Sequence, residues 1–315
     1  MQGVEKLRIA TLVSGIAFGL WIALVPLLAG LSVAVVSKLG LERLDDRRSL
    51  VALAVFLLVS CAYIILGVRL FQLTNKRHSR FRREFKQVVL PIAARLVHDS
   101  FTYRIGGIPL ERFLEGRLFL QRLDYYHSED FFCGKSGATS FEFSEIDASY
   151  ETKDSRGERR VCQVFRGVYF IADFNKHFRT RTIVVADTGE KAGGFFGWLF
   201  RGTDSSRGRK ISLEDPEFER EFDAFGDDDV EARYILTPAL MSRIVALKRR
   251  HGQVALSFLK GQVHVALGVA RDLFEPTVST RVSDSRQMTG FLNDLRSILG
   301  IIEILNLNTR IWSKN

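Results

Sequence analysis

Charge is missing from two long stretches near the start of the chain. Thr11–Ser37 and Ser49–Val68 carry none over 27 and 20 residues. A helix needs roughly 20 apolar residues to cross about 30 Å of hydrocarbon, and neither run shows the polar face of a buried soluble helix. The pattern predicts two transmembrane helices, at 11–37 and 49–68, in a hairpin covering 1–70. A cleaved signal peptide is the rival for the first run. Its apolar core would be about twice the usual length, no small-x-small cleavage site closes it, and a second apolar run follows. The first run is slightly long for a bilayer and contains Pro26, so a tilt or kink is expected to absorb the excess.

Beyond the second run the pattern becomes basic and helical. Phe81, Phe85, Val88 and Val89 keep helical spacing as far as Pro91, so 71–99 reads as a helical stalk continuing the second span. Arg69, Lys76, Arg77, Arg80, Arg82, Arg83 and Lys86 make it a candidate for contact with anionic lipid headgroups. Together with Lys6 and Arg8, nine basic residues flank the two runs, against Lys38, Arg43, Arg47 and Arg48 in the loop between them. The imbalance puts both termini in the cytoplasm.

From about Phe101 the period shortens. Residues 124–151 alternate and break at Gly134–Gly137, 154–160 read as a turn, and 160–174 and 181–189 read as further strands, with a bulge expected at Gly167. Residues 213–226 read as one short helix with Asp215 as cap, Pro216 at its first position, and Phe218, Phe222 and Phe225 on one face. Thr237-Pro238 starts another helix, which Gly252 ends, with Leu240, Ile244 and Leu247 inward. Residues 253–269 read as a hairpin turning at Lys260-Gly261. A last helix covers 285–307, with Met288, Phe291, Leu295, Ile298, Ile302 and Leu305 at alternating three- and four-residue spacing. This stripe is expected to pack across the sheet, with a coiled coil as the alternative. The class is α+β, with an antiparallel sheet and a C-terminal helix in a domain at 100–315. Between the strands, 191–210 bring Phe195, Phe196 and Trp198 together with five glycines. They read as a loop tucked on the core, or as an aromatic wedge on the membrane interface.

Charge changes the picture less than the total suggests. The chain is +9, but residues 1–95 carry 14 Lys and Arg against 5 acids, and the rest is neutral. The basic excess belongs to the membrane-proximal part and gives no basic patch for nucleic acid. Cys61, Cys133 and Cys162 show no zinc spacing and are expected to stay reduced. No phosphate loop, dinucleotide fingerprint, His-Glu-x-x-His pair or Gly-x-Ser-x-Gly elbow occurs, so no catalytic residue and no cofactor is expected. His264 reads as a strand histidine with its hydrogen bonds satisfied. Gly15 and Gly19 form a small-residue ridge with Thr11 and Ala23. The ridge is read as packing on the second span, or as a homo-oligomer contact.

The densest acidic stretch is Asp227, Asp228, Asp229 and Glu231. It lies between two capped helices, and Gly226 precedes the aspartates, which is wrong for an EF-hand loop. A turn with Asp229 as cap is the plain reading, and a divalent-metal enzyme at these carboxylates is the alternative. "VFRGVYFIADFNKHF" (164–178), "LEDPEFEREF" (213–222), "VEARYILTPALM" (230–241), "FEP" (274–276) and "LNLNTRIW" (305–312) together resemble a bacterial family of uncharacterised membrane proteins. Its members pair two N-terminal spans with a cytoplasmic domain of unknown function. The resemblance implies a multi-pass protein of the inner membrane, with a LemA-like membrane protein as partner, and it brings no reaction. The expected function is a non-catalytic binding or scaffold protein. A lipid-sensing, pleckstrin-like module is a further alternative.

Overall fold

A computed structural model describes residues 1–28, 30, 34, 47–174, 176–186 and 207–308, with the backbone alone at 47–50, 52 and 53. Most of the loop between the apolar runs, and the segment holding Phe195, Phe196 and Trp198, lie outside the described residues. The chain forms two compact units: Met1–Val89 with Glu275–Gln287, and Leu90–Phe274 with Met288–Asn315.

In the first unit, helix α1 (Gln2–Ala23) lies antiparallel to the first part of helix α2 (Arg47–Val97). α2 joins the second apolar run and the stalk in one helix, with Pro91 inside it. The seam follows Thr11, Ser14, Phe18 and Trp21, a three-four spacing. Trp21 stacks on Tyr63 with ring centroids 4.6 Å apart, and Phe18 meets Phe71 at 5.6 Å. Thr74 Oγ1 donates to Ser14 O at 3.2 Å, and Arg77 Nη1 donates to Ala10 O at 3.2 Å. The glycine that permits this approach is Gly67 on α2, where a Cβ would sit 2.1 Å from the Trp21 ring. Thr11 of the small-residue ridge lies in this seam, but a Cβ on Gly15 or Gly19 would meet nothing within 4 Å. Most of the apolar surface points outward: Leu27 is 71% exposed and Leu58 70%.

Residues Glu275–Gln287 close the first unit near the start of α1. Arg8 pairs with Glu5 at 2.7 Å and donates to Val278 O at 2.9 Å. Val282 N donates to Glu5 Oε2 at 3.0 Å. On α2, Arg82 and Lys86 both reach the Glu275 carboxylate, Lys86 at 2.6 Å.

The second unit is built on an antiparallel sheet. Its strands are β1 (Thr102–Arg104), β2 (Tyr125–Ser136), β3 (Thr139–Lys153), β4 (Arg159–Asp173), β5 (Thr182–Ala186), β6 (Arg209–Ile211), β7 (Phe222–Gly226), β8 (Val254–Leu259) and β9 (Gln262–Gly268). They run in the order β1-β2-β3-β4-β9-β8-β5-β7-β6. The helices are α3 (Leu110–Glu115), α4 (Pro216–Glu221), α5 (Asp229–Ile235), α6 (Pro238–His251) and α7 (Ser285–Ile304).

Both faces of the sheet are covered, so Val168–Ala172 of β4 are all buried, whichever face they point to. One face packs Phe165, Tyr169 and Ile171 with Phe113 and Phe119 from α3 and the segment after it. On the other, Phe170 stacks with Phe141 and Phe143, Phe143 stacks with Phe132, and Phe132 meets Phe274 at 5.0 Å. Phe274 in turn meets Phe291 of α7. Of the predicted stripe, Phe291, Leu295, Ile298, Ile302 and Leu305 are buried and Met288 is half-buried.

Two local expectations change. Residues 213–226 are not one helix: α4 stops at Glu221, and Phe222–Gly226 form β7 between β5 and β6. Pairing with two strands outweighs the helical spacing of the phenylalanines. The irregularity in β4 is not at Gly167 but opposite Ala148/Ser149, where the register shifts. Gly167 is needed because a Cβ there would lie 2.0 Å from Leu267 O, at φ +149°. The turn at Lys260-Gly261 has the expected place, with both residues at positive φ, as a type I′ hairpin requires.

Candidate functional site

The carboxylates at 227–231 are used locally, though Asp229 Oδ1 is buried without a hydrogen bond. Asp228, with φ −141° and ψ 123°, is the cap of α5 and accepts from Glu231 N at 2.8 Å. The cap therefore lies one residue before the expected Asp229. Asp227 faces Arg181 at 3.3 Å, and Asp229 faces Arg209 at 3.7 Å. Glu231 accepts from Arg179 N at 2.8 Å, from Thr180 N at 2.5 Å and from Thr180 Oγ1. Burial raises the Glu231 pKa, but the hydrogen bonds from Thr180 and Arg179 outweigh it, and the net shift is downward. The cluster fastens the turn before β5 to α5 and presents no converging set of oxygens.

A converging set stands elsewhere. The ligand oxygens of Glu129, Asp130 and Glu145 lie within 4.8 Å of one another. Glu129 and Glu145 are directly opposed on β2 and β3, where like charges repel. The register shift between Glu129 and Phe132 puts Asp130 at φ 57° and turns its side chain inward, 1% exposed. Tyr103 Oη donates to Asp130 at 2.8 Å, and Leu273 N donates to Glu145 at 2.7 Å. Three carboxylates at this spacing can share a proton or accept a hard, oxygen-seeking cation. The sequence shows three acids on two strands, but not the bulge that joins them.

The sheet also holds a buried Tyr169–His264 pair, with Oη and Nδ1 3.1 Å apart. Tyr169 donates to Phe113 O at 3.2 Å, and burial raises its pKa far above the ordinary range. His264 is 1% exposed, and burial, helped by the Arg112 charge, lowers its pKa to about 4. It is a neutral strand histidine, as its setting in the sequence suggests. Above it Arg112 bridges Glu115 at 2.7 Å, Glu142 at 2.9 Å and the Gln262 side chain at 2.8 Å. An open cleft of about 790 Å³ at the far end of β2–β4 is lined by Arg122, Tyr125, Tyr150, Glu151, Lys153 and Arg159. Arg122 and Arg159 pair there with Asp124 and Glu151.

The seven stalk cations fall into two sets. Arg77, Arg82 and Lys86 bind the chain itself, through Ala10 O and Glu275. Arg69, Lys76, Arg80 and Arg83 are exposed. They recur at i, i+7, i+11 and i+14, which puts them on one stripe of α2.

No curated protein matches the chain. The crystal structure of the mycobacterial trehalose monomycolate transport factor A, TtfA, aligns over 71% of this chain and 97% of its own, at 9% identity and a TM-score of 0.36. That score is too low to establish a shared fold. A family model described as "Protein of unknown function (DUF3137)" matches residues 163–307, from within β4 to just past α7.

Proposed function

We propose that the chain is a membrane-anchored binding or scaffold protein on the cytoplasmic face of a bacterial inner membrane, without catalysis of its own. The observation that carries this reading is the outward apolar surface of the first unit. Gln2–Leu28 and Ala54–Val97 are long and apolar enough to cross a membrane, and only 11% and 6% of their most apolar stretches are buried. A core helix of a soluble protein would bury most of that surface. The basic excess on both sides of the hairpin supports cytoplasmic termini. Anionic headgroups, a LemA-like membrane protein and a second copy of the chain are the proposed partners. The open Gly15–Gly19 ridge supports the last of these.

Fusions after Asn315 test the topology. A fluorescent protein is expected to glow there, and alkaline phosphatase is expected to be inactive. An active phosphatase, or a full-length chain that stays in the supernatant after ultracentrifugation without detergent, overturns the reading. Affinity capture of the full chain from solubilised membranes tests the binding role, which fails if no specific protein or lipid is retained. A metal-dependent enzyme at Asp227–Glu231 is disfavoured by the partners those carboxylates already hold. It regains ground if a divalent cation raises the melting temperature and Asp228→Asn abolishes the effect.

A further inference from the structure

The two apolar runs differ in length, and the helix register tells which part of the longer one is surplus. The charges of the intervening loop begin at Lys38 and end at Arg48, so both runs start from the same outer edge. About 20 helical residues at 1.5 Å each span roughly 30 Å of hydrocarbon. That uses the whole of Ser49–Val68. The packing gives the matching level on the first run. Trp21 lies against Tyr63 and Gly67, Phe18 against Phe71, and Ser14 against Thr74. Charge returns to α2 at Arg69, level with Phe18–Trp21 and not with Thr11. The layer also has the composition of a bilayer boundary, where Trp and Tyr concentrate.

We infer that the cytoplasmic edge of the hydrocarbon lies at the aromatic layer of Phe18, Trp21, Tyr63 and Phe71, and that the uncharged stretch Thr11–Ala17 stands in the headgroup layer beside Arg69 and Lys76, which bind lipid phosphates. This rests on the membrane-anchored reading above and fixes its depth and its lipid contacts. The alternative puts Thr11 at the edge and draws Arg69 about 10 Å into the hydrocarbon, where arginine is rare and costly. Arg69 and Lys76 are exposed on the side of α2 away from the seam with α1. Arg80 and Arg83 continue the stripe, but they lie about 16 and 21 Å along the helix from Arg69. Measured from the outer face of the headgroup layer, about 5–7 Å beyond the hydrocarbon, Lys76 falls within the screening length of about 8 Å at physiological salt and these two fall beyond it, so the phosphate contacts belong to the first two cations. Val13 and Ile16, each 56% exposed, then sit about 8 and 3 Å outside that edge, in the headgroup layer.

The test uses the full chain with Cys61, Cys133 and Cys162 replaced by serine. One cysteine is placed at Val13, Leu27, Leu58 or Leu73, spin-labelled, and studied in vesicles of phosphatidylethanolamine and phosphatidylglycerol. Power saturation with oxygen and a nickel chelate reads the depth. Labels at Leu27 and Leu58 are expected to be oxygen-rich and nickel-poor, and labels at Val13 and Leu73 to be open to nickel. A Val13 label as shielded as the one at Leu27 overturns the inferred depth and leaves the anchor intact. Nickel access at all four positions overturns the anchor itself. A label at Ile16 replaces Val13 if that variant is poorly inserted. Joint Arg69→Gln and Lys76→Gln substitution is expected to halve, or more, the phosphatidylglycerol enrichment of the co-purified lipid. Unchanged enrichment overturns the phosphate contact.

Discussion

Glu231 shows how an acidic cluster can be structural. Its carboxylate receives three donors from Arg179 and Thr180, and hydrogen bonds to a charged group are worth about 1.5–3 kcal/mol. Glu231→Ala is therefore expected to cost about 2 kcal/mol in urea unfolding at pH 7. The Glu231 pKa is lower in the fold than its ordinary 4.5. A carboxyl shifted in that direction stabilises the fold above the unfolded value and loses the contribution as pH falls through the folded one. The gap between the wild type and Glu231→Ala should accordingly narrow on acidification below 4.5. His264 has its transition in a different range. Its pKa falls from 6.5 to about 4 in the fold, so the folded state resists the proton that the unfolded chain takes up. Stability is full above 6.5 and declines as pH drops toward 4, by about 3 kcal/mol at roughly 1.4 per unit. A His264→Gln variant should lack that component of the slope, and an NMR titration should place the ring's midpoint near 4. Both residues stand out in the sequence, but only as types. Whether an acid caps, pairs or converges depends on backbone angles, and the cap fell to Asp228 because that residue is the extended one.

At the level of elements, periodicity carried furthest where a segment has one buried face. α6 buries Leu240, Ile244 and Leu247 between its Thr237 cap and Gly252, and α7 buries its predicted stripe from Phe291 onward. It failed at Phe222–Gly226, where apolar residues at helical spacing also suit a strand that pairs on both sides. A five-residue run does not distinguish the two periods. It was silent on the Glu129–Asp130–Glu145 group, because the bulge that turns Asp130 inward is set by pairing with β3. β4 makes the strongest demand on sequence. Gly167 faces Gly268 across the β4–β9 ladder, and a methyl group at Gly167 would overlap Leu267 O. Gly167→Ala must move β9 or strain the backbone, at an expected cost of about 2–4 kcal/mol by the usual scale of overpacking and φ-restricted sites. Unfolding of the variant in urea should show a lower midpoint with an unchanged slope. An unchanged midpoint would mean that the ladder is looser at this point.

For the whole chain, the sequence divides at the stalk and the structure divides differently. Composition places a basic membrane-proximal part before a neutral domain. The fold instead assigns Glu275–Gln287, from deep in that domain's sequence, to the same unit as the hairpin. No pattern along the chain could reveal this, since the Arg8 contact with Val278 joins residues 270 apart. The joint is electrostatic and uses main-chain groups. Glu5 and Arg8 pair with each other, and each also takes one backbone group of the segment, Val282 N and Val278 O. Hydrogen bonding to Arg8 is the largest influence on the Glu5 carboxyl and holds its pKa below the ordinary value, so the carboxylate stays ionised through the physiological range. The lower-energy hydrogen-exchange openings of a protein are local and follow such units. Joint Glu5→Ala and Arg8→Ala substitution in the full-length chain should therefore raise amide exchange in residues 275–287 by about tenfold, the effect of losing roughly 1.4 kcal/mol of local protection. Exchange in β4 and β9 should stay as in the wild type. Equal acceleration across the sheet would mean that the segment is not a separate unit, and that the charges at the start of α1 stabilise the molecule as a whole.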